Sequence, residues 1–331
     1  MKKCPVSDYC GGCTYQGIDY SKQLEMKQER VDELLSSFHR VEPIIGCKEP
    51  LHYRNKVQMS FGYDEDHKII CGYYLQNSHF IVPVGSCMIA DEKMAQIFSS
   101  IRKAVIRTHT SVYDERTKKG SLRHVLIRSS DLGECMVVFV MTSPNVQKAK
   151  LLSEEILKYD RSISTVILNI NKKATSLVLG PDNIVLYGKG YITDGLCGLR
   201  FRISPSSFYQ VNRYQTQTLY ETAIKAAHLK KEDILIDAYC GTGTIGLAAS
   251  KYVKKVYGVE TSRSSIRDAI INKKINEIDN TEFVCEDAGR YMESLAAKKT
   301  HVDAVIMDPP RGGSDVRFMS SMVKMRPDRI V

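Results

Sequence analysis

The sequence predicts an α/β protein in which a β-rich region is followed by a doubly wound parallel sheet. Two observations predict this. Residues 52–203 alternate apolar and polar positions between turn residues, whereas after Pro205 short apolar strands alternate with segments of helical length. The chain has 331 residues, 43% of them hydrophobic, which is enough for two domains. Because no apolar run approaches the roughly 20 residues that span a bilayer, we exclude a membrane protein.

The C-terminal part is predicted to contain four strands, preceded by a helix over residues 212–228. The predicted strands are Ile234–Ala238, Val256–Glu260, Glu282–Cys285 and Ala304–Asp308. Parallel sheets of this kind bind their ligands at the carboxyl ends of the strands. Functional side chains are therefore expected where these strands end.

The β-rich part is predicted to consist mainly of hairpins, with helices near 91–109 and 145–159. The predicted hairpins are Ile69–Val84, His124–Thr142, Thr165–Leu179 and Ile184–Ile203, with turns at Asp131-Leu-Gly133, Asn171-Lys-Lys173 and Asp194-Gly195. Before them lies an amphipathic helix, whose apolar face carries Leu24, Val31, Leu34, Leu35 and Phe38.

The net charge and the first residues of the chain limit the expected cellular compartment and the expected binding partners. The formal net charge is +9, with no polybasic tail, which favours phosphate as a partner only weakly. The first residues, Met-Lys-Lys-Cys-Pro, lack the apolar stretch of a signal peptide. We therefore expect a cytoplasmic, monomeric protein that does not bind membranes.

A glycine-rich loop follows the first C-terminal strand. Gly241, Gly243 and Gly246 match G-x-G-x-x-G, a pattern that dinucleotide-binding folds share. Asp237 and Glu260 lie at the ends of this strand and the next, and Asp308 closes the fourth strand. A carboxylate that can meet an ammonium group and another that can accept both ribose hydroxyls favour S-adenosylmethionine over a dinucleotide. The fold class is thus a Rossmann-like S-adenosylmethionine-dependent methyltransferase domain preceded by the β-rich domain.

The residues after Asp308 bear on the methyl acceptor. Asp308-Pro-Pro is followed by Arg311-Gly312-Gly313 rather than by an aromatic residue. A guanidinium on flexible backbone suits a phosphate or a base edge better than stacking on an adenine.

Several motifs together resemble one family. They are Ile203-Ser-Pro-Ser-Ser-Phe-Tyr-Gln-Val-Asn212, Asp237-Ala-Tyr-Cys-Gly-Thr-Gly243, Asp308-Pro-Pro-Arg311, Tyr53-Arg-Asn-Lys56 and Leu122-Arg-His-Val-Leu-Ile-Arg128. This combination resembles the RNA uracil-C5 methyltransferases that make 5-methyluridine in 23S rRNA and tRNA. The resemblance covers essentially the whole chain.

The resemblance implies roles for individual residues. It places Gln210, Tyr239, Glu260 and Asp308 at the cofactor, beside Asp237, Gly241 and Gly243. Gln210, Asp308 and Phe208 would also face the target uracil, with Arg311 close by, although Phe208 and Tyr209 could equally be core residues. The candidate phosphate or base contacts in the β-rich part are Arg54, Lys56, Arg123, His124 and Arg128, each of which could instead be a solvated charge.

The N-terminal cysteines have metal-ligand spacing. Cys4, Cys10 and Cys13 follow C-x5-C-x2-C around two glycines, and Cys47, Cys71 and Cys87 are candidates for a fourth ligand. In the rRNA-modifying members of the family, this spacing resembles a [4Fe–4S] site completed in a Pro-Val-x-x-Cys context, which Cys87 matches. The alternatives are a zinc site or reduced surface thiols. The remaining cysteines, including Cys135 and Cys197, are expected to be core residues.

Methylation at uracil C5 requires a thiolate that adds to C6 and a base that removes the C5 proton. The resemblance places this thiol in a Ser-Cys-Asn-Pro segment after the fifth strand, and the base in a Glu near the C-terminus. Both are expected beyond Val331, so the chain is predicted to be truncated and inactive alone, with no catalytic residue of its own. Cys240 and Cys285 are expected to be packing or cofactor-wall residues.

The predicted organisation has four parts. Residues 1–16 form the iron–sulfur segment, and residues 17–47 form a helix and linker that pack on the methyltransferase domain. Residues 48–203 form the β-rich RNA-binding domain, and residues 204–331 form the methyltransferase domain. The predicted function is 23S rRNA uracil-C5 methylation. A tRNA-directed enzyme and a non-catalytic RNA-binding or iron–sulfur protein derived from this fold are the alternatives.

Overall fold

The computed structural model of the protein describes residues 4–173 and 177–331. It divides into two compact units. The first contains residues up to Ser129 and Cys135–Gly190, and the second contains Ser130–Glu134 and Tyr191–Val331. The sequence placed the boundary at 203/204, later than the structure does, because residues 192–203 form a hairpin that belongs to the second unit.

The first unit is built on a seven-stranded sheet. Its helices are α1 (Tyr20–Leu35), α2 (Glu92–Arg107) and α3 (Val146–Tyr159), and its strands are β1 (Lys56–Tyr63), β2 (Ile69–Tyr74), β3 (Ile81–Pro83), β4 (Leu122–Ser129), β5 (Cys135–Met141), β6 (Ile163–Ile170) and β7 (Asp182–Gly188). The strand order is β3-β2-β1-β4-β5-β6-β7. Only β5 and β6 pair in parallel, because α3 carries the chain between them. The apolar faces of α2 and α3 supply core residues such as Ile97, Ile101 and Leu152.

Two of the predicted hairpins formed as expected, one is wrong, and the fourth forms with a shifted turn. The strands β2–β3 and β4–β5 pair as the sequence predicted, with Gly133 in the left-handed region at the second turn. A hairpin within Thr165–Leu179 is wrong, since β6 pairs with β7, whose residues were assigned to the next hairpin. Part of that predicted hairpin, residues 174–176, lies outside the described residues.

The amphipathic helix α1 leaves its apolar face open to solvent. None of its residues is buried, and Leu34, Leu35 and nearby Phe38 are exposed. The helix belongs to the first unit, and packing of residues 17–47 on the methyltransferase domain remains a prediction. Across residues 4–173 and 177–331, no helix combines the length and apolar character that crossing a membrane would take.

The second unit contains a five-stranded, all-parallel sheet. Its helices are α4 (Arg213–Ala226), α5 (Thr244–Ala249), α6 (Arg263–Ile275), α7 (Ala288–Ala297) and α8 (Val316–Met325). Its strands are β8 (Ile192–Leu196), β9 (Leu199–Ile203), β10 (Ile234–Ala238), β11 (Lys255–Glu260), β12 (Thr281–Cys285), β13 (Ala304–Met307) and β14 (Arg329–Ile330). The order β12-β11-β10-β13-β14 confirms the predicted doubly wound sheet.

Local sequence explains where many helices begin. Six of them start after an Asp, Asn or Ser whose side chain accepts a hydrogen bond from a backbone N–H of the first turn. These residues are Asp91, Asn145, Asn212, Ser262, Asp287 and Asp315.

The β8–β9 hairpin turns three residues later than the sequence predicted. Leu196 pairs with Leu199, so the turn consists of Cys197 and Gly198, both with positive φ (53° and 79°). Two left-handed residues form the turn type that matches strand twist in two-residue hairpins. The predicted turn residue Asp194 is instead buried inside β8, where it accepts the backbone N–H of Asp131.

Candidate functional site

The glycine loop leaves β10 and turns directly into α5. Gly243 has φ +78°, and a Cβ at this position would lie 2.5 Å from Cζ of Phe283. The Gly246 N–H donates to Oδ2 of Asp237 at 2.8 Å, which ties the start of α5 to the end of β10. Only glycine tolerates this combination of backbone conformation and close approach. The loop is therefore shaped before any ligand binds.

Asp237 is the buried carboxylate at the base of this loop. Its side chain is 1% exposed. Burial raises the pKa of Asp237 to about 7, the Gly246 N–H opposes that rise, and the carboxylates of Asp308 and Glu260 add to it. Three carboxylates thus influence one another at the carboxyl ends of adjacent strands, where a cationic ligand would be stabilised.

Glu260 ends β11 beside the loop. Its Oε2 accepts the Gly241 N–H at 3.2 Å, while Oε1 accepts the Ser262 N–H at 2.8 Å and the Thr261 hydroxyl at 3.1 Å. These bonds fix the plane of the carboxylate. A carboxylate has about four lone-pair positions, so one remains for a ligand hydroxyl.

The motif segment before α4 reaches the end of β13. The amide Nε2 of Gln210 donates to Oδ2 of Asp308 at 3.3 Å, and the Asp308 N–H donates to the Ala238 carbonyl at 3.4 Å. On the same side, the Tyr239 hydroxyl donates to Oγ of Ser314 at 3.0 Å. Residues predicted from three separate motifs are therefore brought to one edge of the sheet, and Arg311 is exposed nearby in sequence.

Phe208 and Tyr209 have opposite environments. Tyr209 is buried, and burial together with Asp194 raises the pKa of its hydroxyl. Phe208 is 61% exposed. Of the two aromatic residues that could have been core, only Tyr209 is, and the Phe208 ring is free to stack on a planar ligand.

Four of the five basic residues predicted to contact RNA divide into two pairs. Arg123 is buried, donates to the Lys173 carbonyl at 2.7 Å and lies 5.0 Å from the centre of the Tyr113 ring. Arg128 is also buried. Arg54 and Lys56 are half-buried and line a cavity, and burial with the charges of Arg128 and Arg54 lowers the pKa of Lys56 to about 8. Direct RNA contacts of all four remain predictions, and those of Arg123 and Arg128 would require their surroundings to open.

His124 belongs to the same motif. It is buried and its Nδ1 lies 3.0 Å from Oγ of Ser60. Burial and the charge of Arg123 lower its pKa to about 4, so the imidazole is neutral at pH 7. A neutral, enclosed ring is a structural element of β4 rather than a phosphate contact.

A cavity of about 370 Å³ in the first unit is lined by four thiols. Cys4, Cys10, Cys13 and Cys87 all line it, whereas Cys47 and Cys71 do not. Burial raises the pKa of the Cys13 thiol, and the nearby Cys87, Cys10 and Cys4 thiols add to this rise. Within residues 4–173 and 177–331, however, no three His, Cys, Asp or Glu side chains stand in an arrangement that could hold a metal ion.

Two further thiols lie in the second unit: Cys240 is part of the glycine loop, and Cys285 is the last residue of β12. Cys240 is buried, and burial raises its pKa well above the usual range, with Asp237 and Glu260 contributing. Cys285 is exposed, and its Sγ lies 3.6 Å from the Thr261 carbonyl. A protonated thiol is a poor nucleophile, so we interpret Cys240 as a packing residue of the glycine loop.

Sequence reasoning missed two contributors. Tyr73 on β2 lines the thiol cavity and hydrogen-bonds Cys87. Oδ1 of Asp268 on α6 accepts a hydrogen bond from the hydroxyl of Ser204, in the motif segment before α4. Tyr73 could have been found as a residue on the same strand as Cys71, but Asp268 has the spacing of an ordinary solvent-facing helix residue.

Comparison with known proteins agrees with this geometry. The sequence model of the tRNA (uracil-5-)-methyltransferase family matches residues 19–331. An uncharacterized RNA methyltransferase of Clostridium tetani (strain Massachusetts / E88) is 37% identical over 333 residues, 99% of this chain and 72% of that protein. One from Staphylococcus aureus (strain MRSA252) is 37% identical over 334 residues, 99% of this chain and 74% of that protein.

A solved structure shows the same fold. The Pyrococcus abyssi tRNA (uracil-54, C5)-methyltransferase in complex with S-adenosyl-L-homocysteine superimposes with a TM-score of 0.80 at 24% identity, covering 100% of this chain and 76% of that one. The predicted S-adenosylmethionine-dependent methyltransferase fold is thereby confirmed. The chain belongs to the tRNA (uracil-5-)-methyltransferase family and is an S-adenosylmethionine-dependent RNA methyltransferase.

Proposed function

We propose that this protein methylates C5 of a uridine in 23S rRNA, using S-adenosylmethionine as the methyl donor. The observation that carries the proposal is the bond from Gln210 to Asp308, which joins the motif segment to the strand end beside the glycine loop. This arrangement sets an amide and a carboxylate, groups that can read the polar edge of a uracil, next to the loop that would hold the methyl donor.

The residues around this bond have separable roles. Glu260 accepts a hydrogen bond from a ribose hydroxyl, and Asp237 shapes the loop through Gly246. The exposed Phe208 ring stacks on the flipped base, and Arg311 contacts a phosphate or base edge. S-Adenosylmethionine, when bound, supplies an electrophilic methyl group.

The acceptor chemistry requires a thiolate that adds to C6, so that C5 becomes nucleophilic, and a base that then removes the C5 proton. Cys240 is not proposed for this role because it is buried and protonated. Cys285 is not proposed either, because it ends β12, whereas the family resemblance places the thiol after the fifth strand. The proposal keeps the thiol in the Ser-Cys-Asn-Pro segment that the family resemblance places after the fifth strand, with a Glu as the base.

Substitution of the uracil-facing pair tests the proposal. Gln210→Ala or Asp308→Ala in the complete gene product should reduce methylation of rRNA transcripts by about 100-fold or more, because a misplaced base loses its attack geometry. Tritiated methyl transfer measures the rate, and Gln217→Ala on the outer face of α4 is the matched control. Wild-type turnover in the Gln210 and Asp308 variants would exclude this site.

The choice of rRNA over tRNA rests on the resemblance of the N-terminal cysteines to the rRNA-modifying members. Mapping 5-methyluridine in both RNAs from a gene-deletion strain distinguishes them. Loss of a 5-methyluridine from 23S rRNA supports the proposal, and loss from tRNA alone overturns it in favour of a tRNA-directed enzyme.

We further propose that Cys4, Cys10, Cys13 and Cys87 hold a [4Fe–4S] cluster. Four thiols on one cavity match the donor set of such a cluster, and about 370 Å³ is more room than a single zinc ion with ligands at about 2.3 Å requires. When bound, the cluster would supply structural order, and the negative charge of its four thiolates would lie near Arg54 and Lys56, which line the same cavity. Anaerobically purified protein should contain about four irons and four sulfides per chain; stoichiometric zinc without iron would sink this assignment.

A further inference from the structure

The segment from Ser204 to Asn212 carries Phe208 and Gln210 but has no regular secondary structure of its own. An irregular segment can hold two side chains in place only if other groups bind its backbone and hydroxyls. In this protein those groups come from α6. This inference rests on the proposed function of the site.

Asp268 is the residue of α6 that binds the start of the segment. Its side chain is 2% exposed. Oδ1 accepts the Ser204 hydroxyl at 2.9 Å, and Oδ2 accepts the Ser204 N–H at 3.3 Å together with the hydroxyl of buried Ser207. The Arg202 Nε lies 3.6 Å from Oδ1 and balances the charge. A buried carboxylate with this many donors holds them in one geometry.

The next turn of α6 and the C-terminal cap of the helix continue the same pattern. Oδ1 of Asn272 accepts the Arg202 N–H at 2.7 Å, and Oδ1 of Asn276 accepts the Arg200 N–H at 2.8 Å. Asn276 also donates to the Arg200 carbonyl at 2.7 Å. These side chains thus hydrogen-bond the backbone of β9 along the edge that does not pair with β8, as a second neighbouring strand would.

The spacing explains why a helix can bind a strand in this way. Residues 268, 272 and 276 are four apart, and four helical residues rise about 6 Å. Residues 200, 202 and 204 are two apart, and two strand residues rise about 6.7 Å. The two repeats nearly coincide over three steps, so one helix face meets three successive outward N–H groups.

The same face also reaches the cofactor loop. Nδ2 of Asn272, a residue with no exposed surface, lies 3.3 Å from the Thr242 carbonyl in the glycine loop. A single helix face therefore contacts both the loop for the methyl donor and the segment for the base.

We infer that Asp268 and Asn272 of α6, with Asn276 at its C-terminal cap, form a positioning ladder that sets the Phe208–Gln210 segment against the glycine loop. Asp268 is a positioning residue, not a catalytic one, because it contacts the segment and not the reacting atoms. Its loss should free the segment and lower turnover, while the binding of S-adenosylhomocysteine, which depends on the glycine loop, changes little.

Asp268→Asn tests the ladder, since an amide has one accepting oxygen and its NH2 group would face a donor in place of the second oxygen. Hydrogen exchange of residues 200–212 in the complete gene product should accelerate at least about tenfold, because charge-assisted bonds are lost. The kcat for RNA methylation should fall by about 10- to 100-fold with the S-adenosylhomocysteine affinity within about twofold, as expected for misplacement of the base. Asn145→Ala, which removes the N-cap of α3 in the other unit, controls for general destabilisation.

Ser207→Ala is the second variant, in case Asp268→Asn does not fold. It removes one donor and leaves the carboxylate in place, so a smaller acceleration of exchange confined to residues 204–212 is expected. Wild-type exchange in this segment in a folded Asp268→Asn or in Ser207→Ala overturns the inference. Absence of methylation by the wild-type protein would instead count against the proposed function, and the exchange experiment still decides the ladder.

Discussion

The glycine loop of the second unit and the thiol cavity of the first unit differ in how much of each site exists without its ligand. In the loop, Asp237, Glu260 and Gly243 already have fixed hydrogen bonds and backbone conformations. In the cavity, four thiols line one space, yet among the described residues no three ligating side chains are arranged around a metal position. A site built from backbone and hydrogen bonds is formed by folding, whereas a metal site is completed by the metal itself.

The largest effect is expected from breaking the preformed loop. Gly243→Ala forces a Cβ to within 2.5 Å of Phe283 at a φ of +78°, which combines a steric clash with an unfavourable backbone conformation. The affinity for S-adenosylhomocysteine, measured by calorimetry, should fall by about 100-fold or more. Gly195→Ala is the matched control because its Cβ would meet nothing within 4 Å, and wild-type affinity is expected there. Equal losses in both variants would mean that the loop is not specially preformed.

An intermediate effect is expected from the thiol cavity. Cys87→Ser should remove bound iron and lower the thermal midpoint of the first unit, because metal binding there contributes to folding. The affinity for S-adenosylhomocysteine should stay within about twofold, since the loop is complete without the cavity. Cys47→Ser is the control, as this thiol does not line the cavity. If Cys47→Ser lost iron and Cys87→Ser retained it, the fourth ligand would be Cys47.

The two sites also differ in how far the sequence revealed them. The strand ends at Asp237, Glu260 and Asp308 were predictable because a parallel sheet collects its carboxyl ends on one edge. The partner of β6 was not, since strand order depends on contacts distant in sequence, and α3 makes β5–β6 parallel. The burial of polar residues was not predictable from the sequence either.

Arg123 and Asp268 show why the burial of a polar residue is hard to predict. Arg123 lies on a strand that is buried on both faces, so its guanidinium binds carbonyls inside the protein. Asp268 faces a strand edge from a helix that also exposes charged residues such as Arg267. Local pattern cannot separate a polar residue that meets backbone from one that meets water, because both satisfy the same amphipathic period. Burial of polar residues therefore had to come from the structure.

The smallest effect, a pH dependence of cofactor binding, sharpens the comparison from the side of the loop. Burial raises the pKa of Asp237 from 3.8 to about 7, so between these values the folded protein holds a proton that the unfolded chain has released. The contribution of Asp237 to stability therefore falls as pH rises from about 4 to 7 and is flat above that window.

A cationic sulfonium near Asp237, Asp308 and Glu260 favours the ionised form of Asp237 and lowers this pKa. The affinity for S-adenosylmethionine should thus increase, by at most about tenfold, from pH 6 to pH 8. S-Adenosylhomocysteine, which lacks the sulfonium charge, should show a weaker increase, and Asp237→Asn should remove the difference between the two ligands. Calorimetry in buffers of different ionisation enthalpy counts the released proton. An unchanged difference in Asp237→Asn would assign the titration to another group and leave Asp237 with only its structural bond to Gly246.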